Sequence, residues 1–212
     1  MLRWGVIILM VWLVNLTGHT QELTAGDYQE PYRPQWHFSP PSGWMNDPNG
    51  LVYHQGEYHL FYQYYPNATR WGPMHWGHAV SRDLVHWQHL PIALTPDDKG
   101  YIFSGSIVAD RHNTSGLGKD GVIPLVALFT YHDPKAAAQN TRSHESQGLA
   151  FSLDNGRSWH KYANNPVIPN PGETQDFRDP KVIWHAPSQY WIMALSVTDH
   201  VQFWRSKNLI DW

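Results

Sequence analysis

Three copies of one short element constrain this chain more than any other feature. Ser81-Arg82-Asp83-Leu84-Val85-His86-Trp87 matches Ser206-Lys207-Asn208-Leu209-Ile210-Asp211-Trp212 in residue type at nearly every place. Ser152-Leu153-Asp154-Asn155-Gly156-Arg157-Ser158-Trp159 is a looser copy with one residue more. Each carries Ser with Asp or Asn, whose short polar side chains bond to nearby backbone and favour turns. Each ends on Trp, and each follows a strand-like stretch such as Gly77-His78-Ala79-Val80 or Gly148-Leu149-Ala150-Phe151. Ahead of those lie apolar runs of β character, Glu57 to Gln63, Leu125 to Tyr131 and Tyr190 to Leu195. The order is strand, strand, strand, turn, Trp-bearing strand, three times over. Four strands in about 50–70 residues is the pattern of a β-propeller blade. A β-sandwich would not need the repeated turn. No stretch of about 12 residues after position 30 has a helical period, and shorter helices are marginal alone.

The expected fold is therefore all-β, a propeller of which about three blades lie in these 212 residues. Propellers close with about four to eight blades. Three blades would leave a sheet face and an edge uncovered. The chain is thus expected to be an incomplete part of a longer protein, and by itself poorly stable or self-associating.

Composition excludes several classes. Hydrophobic residues make up 42%, enough for a core, and charged residues only 16%. The net charge of −3 lacks the Lys/Arg surplus that phosphate neutralisation needs, so no nucleic-acid partner is expected. Absence of Cys rules out a thiol nucleophile, an iron–sulfur cluster and a disulfide scaffold. The 12 Trp, 11 Tyr and 7 Phe fit a β-rich core, and also fit flat rings that stack on sugars.

The chain opens with the charge and apolar pattern of an export signal. Met1 to Arg3 give a positive start, and Trp4 to Leu16 an apolar run broken only by Gly5 and Asn15. Residues 1–20 read as a secretory signal peptide, too short to span a bilayer comfortably, with an uncleaved anchor as the alternative. Residues 21–33 read as a linker and 34–212 as the propeller. A secreted protein, extracellular or periplasmic, with no stable membrane association after cleavage is expected. Asn67-Ala68-Thr69 and Asn113-Thr114-Ser115 are glycosylation sequons that matter only in a eukaryotic host.

Candidate chemistry stands at the heads of the repeats. Trp44-Met45-Asn46-Asp47-Pro48-Asn49-Gly50 opens the first and Phe177-Arg178-Asp179-Pro180 the third. The second opens on Phe103-Ser104-Gly105-Ser106, polar but without a carboxylate. The inner strand of each blade lines the propeller axis, so two Asp-Pro pairs at matching places would converge on one funnel. Paired carboxylates suit glycosidic cleavage, one attacking the anomeric carbon while others stabilise the oxocarbenium-like transition state. Arg178 is expected to hold its neighbour Asp179 ionised. His75 and His78 lack a completing carboxylate or Cys, so no metal or other cofactor is expected. His132-Asp133 and His144-Glu145 read as polar pairs in loops.

These three motifs resemble the hallmarks of glycoside hydrolase family 32, which contains invertases, inulinases and levanases. Trp71-Gly72-Pro73-Met74-His75-Trp76-Gly77-His78-Ala79-Val80-Ser81 is most similar to levanases and exo-inulinases. The resemblance covers about Pro34 to Trp212 and implies a five-bladed propeller followed by a β-sandwich. By the resemblance, Asp47 is a nucleophile that forms a covalent fructosyl intermediate and Asp179 a transition-state stabiliser. Asn46, Gln63, Trp71, Phe103, Ser104 and Arg178 match positions of a fructose pocket, and Trp44 and Met45 belong to the same first motif.

The family's acid/base is a glutamate in a Glu-Cys motif roughly fifty residues beyond Arg-Asp-Pro. None of Glu22, Glu30, Glu57, Glu145 and Glu173 sits in such a motif. The expectation is a retaining hydrolase of β-D-fructofuranosides (levan, inulin or sucrose) in the whole protein, with these 212 residues nearly inactive alone. The alternatives are a fructosyltransferase of the same family and a non-catalytic fructan-binding propeller.

Overall fold

The computed structural model describes residues 30–172 and 174–212. The expected signal peptide, residues 21–29 of the expected linker, and Glu173 lie outside them. Among the described residues no helix is long and apolar enough to cross a membrane.

The strands form three antiparallel sheets in chain order. The first holds β1 (Trp44–His54), β2 (Glu57–Tyr65), β3 (His75–Ser81) and β4 (Trp87–Leu94). The second holds β5 (Tyr101–Ala109), β6 (Leu125–His132), β7 (Glu145–Ser152) and the two-residue β8 (His160–Lys161). The third holds β9 (Phe177–His185), β10 (Tyr190–Val197) and β11 (His200–Ser206). Among the described residues one short helix, α1 (Pro134–Ala138), is capped by the Asp133 carboxylate, which accepts from the Lys135 and Ala136 N–H groups. The sheets are the blades of a β-propeller. Trp87 opens β4 as expected, but Trp159 precedes β8 and Trp212 follows β11. The repeated element is a turn anchored by its Trp.

That turn is built on the same kinds of bond in all three blades. The hydroxyls of Ser81, Ser152 and Ser206 donate to Asp83, Asp154 and Asn208 at 2.8–3.1 Å. Those acceptors take further bonds from backbone N–H groups of Val85 and His86, of Ser158, and of Ile210 and Asp211. The indole N–H of Trp87, Trp159 and Trp212 then donates to the carbonyl of Leu84, Gly156 and Leu209. Leu84 and Leu209 accordingly adopt φ of 66° and 65°, a left-handed conformation that a branched side chain takes only when its surroundings impose it.

The blades pack face to face. Successive residues of a strand face opposite sides, and β6 uses both. Its Leu125, Ala127, Phe129 and Tyr131 pack with Phe61 and Trp76 of the first blade. Its Val126 and Leu128 pack with Phe177, Val182, Trp191, Met193 and Leu195 of the third. A strand covered on both faces reads as a near-continuous apolar run, and Leu125 to Phe129 is one. On the far face of the third blade, Ile183, Val201 and Phe203 are exposed.

Candidate active site

The inner strands β1, β5 and β9 lie side by side, tied by bonds that cross between blades. Gly105 N–H reaches Asn49 Oδ1 at 3.4 Å between β5 and β1. Ser106 Oγ donates to the Pro180 carbonyl at 2.8 Å and accepts from Val182 N–H at 3.0 Å, joining β5 to β9.

Each inner strand carries a β-bulge, and the polar motif residues sit in it. Asn46-Asp47 together oppose Gln63, Phe103-Ser104 oppose Thr130, and Asp179-Pro180 oppose Leu195. A bulge inserts one residue, bends the strand and re-aims its side chains. Asp179 takes φ of 62° there, a conformation that costs a non-glycine residue and recurs at functional sites. Asp47 is the second residue of its bulge and Asp179 the first, so the two Asp-Pro pairs are not at strictly matching places.

Residues opposite the bulges reach the next blade. Buried Gln63 donates from Nε2 to the Ile102 carbonyl at 3.0 Å, just before the second bulge. Buried Thr130 accepts at Oγ1 from Asp179 N–H at 3.2 Å and donates to Gln147 at 2.7 Å.

These bulges gather the motif residues. Ser104 Oγ donates to Asp47 Oδ2 at 2.8 Å across two blades. The Asp47 carboxylate acts through space on Asp179. Trp44 donates from its indole to Asn46 Oδ1 at 2.8 Å, and Met45 is half-buried between them in sequence. Trp71 leaves 51% of its surface exposed and sets its ring edgewise to Tyr101 and Phe103, with centroids 6.2 and 6.3 Å apart. Phe103 in turn stacks on His132, the rings nearly parallel with centroids 4.2 Å apart.

Arg178 does not serve Asp179 as expected. Its Nη1 donates to Asp176 Oδ1 at 2.6 Å and to Glu145 Oε1 at 3.1 Å. Burial works against its charge, but the two carboxylates outweigh that and hold its pKa above the ordinary value. Asp179 is open to solvent, yet protein crowds its carboxyl. That desolvation raises its pKa, Arg178 opposes the rise, and Asp47 and Glu145 add to it. The net direction is upward, against the expectation of a carboxylate pinned by its neighbour.

Glu145 is the residue that sequence reasoning misplaced. It opens β7 rather than lying in a loop, and its side chain is fully buried. It accepts from Phe177 N–H at 2.8 Å as well as from Arg178. Burial alone would raise it, but His132, Phe177 N–H and Arg178 together bring its pKa below the ordinary value. His132 likewise ends β6 rather than lying in a loop. The only trace of this in the sequence was an acid at a strand start, 33 residues before Arg178.

The chain is thus a β-propeller with carboxylates at its inner-strand bulges and an aromatic wall beside them. The chain is a member of glycosyl hydrolases family 32, whose N-terminal domain matches residues 37–212. It is 52% identical to a levanase of Bacillus subtilis, over 98% of this chain and 29% of that protein. It is 49% identical to an extracellular exo-inulinase of Aspergillus awamori, over 89% of this chain and 38% of that protein. The crystal structure of exo-inulinase from Aspergillus awamori superposes with a TM-score of 0.79, covering 87% of this chain and 39% of that one. The chain thus spans about a third of the length of these relatives.

Proposed function

We propose that the protein to which this chain belongs is a secreted, retaining hydrolase of β-D-fructofuranosides, acting on levan, inulin or sucrose. The observation that carries the reading is the Asp47 carboxylate, held by Ser104 and electrostatically coupled to Asp179 where β1, β5 and β9 meet. In this reading Asp47 attacks the anomeric carbon of a fructosyl unit and forms a covalent ester, which water then hydrolyses. The Ser104 hydroxyl occupies Oδ2 and so leaves Oδ1 for attack. Asp179 and Arg178 hold sugar hydroxyls, with Asn46, Gln63, Trp44 and Met45 around them. The Trp71 and Phe103 rings supply an apolar wall for the sugar.

The proton donor for the leaving oxygen is assigned to a glutamate outside these 212 residues. Glu145 is held ionised by Arg178 and a backbone N–H. Glu57 pairs with Arg157 at 2.7 Å. The Glu145 pKa is lowered, the opposite of what a general acid needs. The apolar start of the chain and the extracellular relative support export.

The test is Asp47→Ala in the full-length protein, read as fructose released from levan, inulin and sucrose. Activity is expected to fall by at least about 10³-fold, as when a unit of catalytic groups loses its nucleophile. Retention of more than about a tenth of wild-type activity would overturn the role, because no such mutant keeps covalent catalysis.

A further inference from the structure

Behind the aromatic wall, three side chains bring their donor atoms together. His132 at the end of β6, His144 in the loop before β7, and Glu145 at the head of β7 place one ligand atom each within 4.8 Å of the others. His132 Nδ1 lies 3.5 Å from Glu145 Oε1, and His144 Nε2 lies 4.0 Å from the same oxygen.

Two details favour a cation over a plain polar cluster. His132 Nδ1 is buried, and its nearest acceptor, Glu145 Oε1, lies 3.5 Å away outside good hydrogen-bond geometry, so the nitrogen is poorly satisfied. His144 Nδ1 sits 2.7 Å from the Thr141 carbonyl, so the proton lies on Nδ1 and the lone pair of Nε2 points to the cluster. A backbone acceptor on the far nitrogen is how proteins fix the tautomer and aim of a metal-binding imidazole. The surroundings are anionic as well, since Asp176, Asp179 and Glu145 stand against the single charge of Arg178.

We propose that His132, His144 and Glu145 form a site for a zinc-class divalent ion. Two imidazoles and one carboxylate suit Zn²⁺ and its borderline neighbours rather than Ca²⁺ or Mg²⁺, which take oxygen ligands. Closing the ligands onto Zn²⁺ at about 2.0–2.2 Å draws the His144 ring toward Glu145 and His132. The ion shares Glu145 Oε1 with Arg178 and so weakens the ion pair that holds the guanidinium. It also fixes the His132 ring against Phe103. Occupancy is therefore inhibitory, a consequence that rests on the fructosidase reading, whereas binding itself does not.

The experiment uses the full-length protein, stripped with EDTA and titrated with ZnCl₂ in a calorimeter, beside the His144→Gln variant. The variant is expected to lose one Zn²⁺ equivalent, or to weaken it by at least about 100-fold, the upper end of what even an outer partner's loss costs. In EDTA its melting temperature and fructose release match wild type. Co²⁺ in place of Zn²⁺ is expected to give visible d–d absorption in wild type that His144→Gln lacks. With Zn²⁺ added, wild-type activity falls and His144→Gln resists. Equal Zn²⁺ stoichiometry and affinity in the two proteins would overturn the site. A lost equivalent with unchanged inhibition would keep the site and overturn its link to Arg178. Inactivity of both proteins without metal would instead count against the fructosidase reading and leave the calorimetry to decide the site.

Discussion

Arg178 and Asp179 are adjacent in the chain, but the strand and its bulge send them to different partners. The guanidinium turns to Glu145 and Asp176, and the Asp179 backbone N–H turns to Thr130. Adjacency in sequence is a poor guide to pairing on a strand, where neighbours face opposite sides. The motif residues could be read because they are contiguous and chemically distinctive. Glu145 could not, because its partner is another blade's residue and nothing local marks it. Its role is one of positioning, and Glu145→Gln tests it. The amide keeps the shape but removes the charge that holds Arg178 and that helps to raise Asp179. The expected result is a KM for sucrose raised about tenfold with a smaller change in kcat, the signature of lost binding rather than lost chemistry. The Asp179 pKa falls, so any acid limb that it sets moves to lower pH. An unchanged KM and pH profile would mean that Arg178 is held without Glu145.

The elements divide into those with a local signature and those without one. The Ser–Asp–Trp turn is legible because its hydrogen bonds are made within seven or eight residues. The bulges are not, since an extra residue in a strand looks like any other until its partner strand is known. Gly105 shows how tightly they are built. A Cβ there would stand 2.1 Å from the Leu128 carbonyl oxygen and 2.7 Å from Phe129 Cα, both backbone atoms of β6. Gly105→Ala must push β5 away from β6 at the bulge that carries Ser104. Overpacking of this kind costs about 1–3 kcal/mol. It should also loosen the Ser104–Asp47 bond, so a lower melting temperature is expected together with reduced kcat. A variant with wild-type melting and activity would show that the bulge has slack. In the turns, Asp154→Ala removes the acceptor for Ser152 Oγ, Ser158 N–H and Ser158 Oγ. A destabilisation of about 0.5–2 kcal/mol is expected, as for a lost helix cap, with activity at moderate temperature unchanged.

At the scale of the whole molecule, the sequence reveals three blades but not how they dock. From Leu125 to Phe129 every position is apolar, so periodicity cannot say which side faces which neighbour. One docking contact hides a pair of titratable rings. His59 and His78 are buried in the first blade with Nδ1 and Nε2 3.1 Å apart, and His78 stacks on Phe61 at 3.9 Å. The turn of the second blade closes over them. Gly156 lies against both rings, Trp159 packs edgewise on Phe61, and Glu57 is bonded by Arg157 and Asn155. Burial lowers the His59 pKa from 6.5 to about 4, with Arg157 and His54 adding and Glu57 opposing. Burial, His59 and Arg157 push His78 well below 6.5. Above pH 6.5 both rings are neutral folded or unfolded, and they make no difference. As pH falls below 6.5 the unfolded chain takes up protons that the folded rings refuse, so stability declines with acid. The decline from His59 levels off near pH 4, where the folded ring protonates too. His54, His75 and His89 are also lowered and act in the same direction. Melting temperature of the full-length protein is therefore expected to drop steadily from pH 7 to pH 4. In His78→Phe, which keeps an aromatic ring on Phe61, the slope of unfolding free energy against pH should shrink by up to about one proton, or about 1.4 kcal/mol per pH unit. An unchanged slope in His78→Phe would show that the pair between the blades does not set the acid limit.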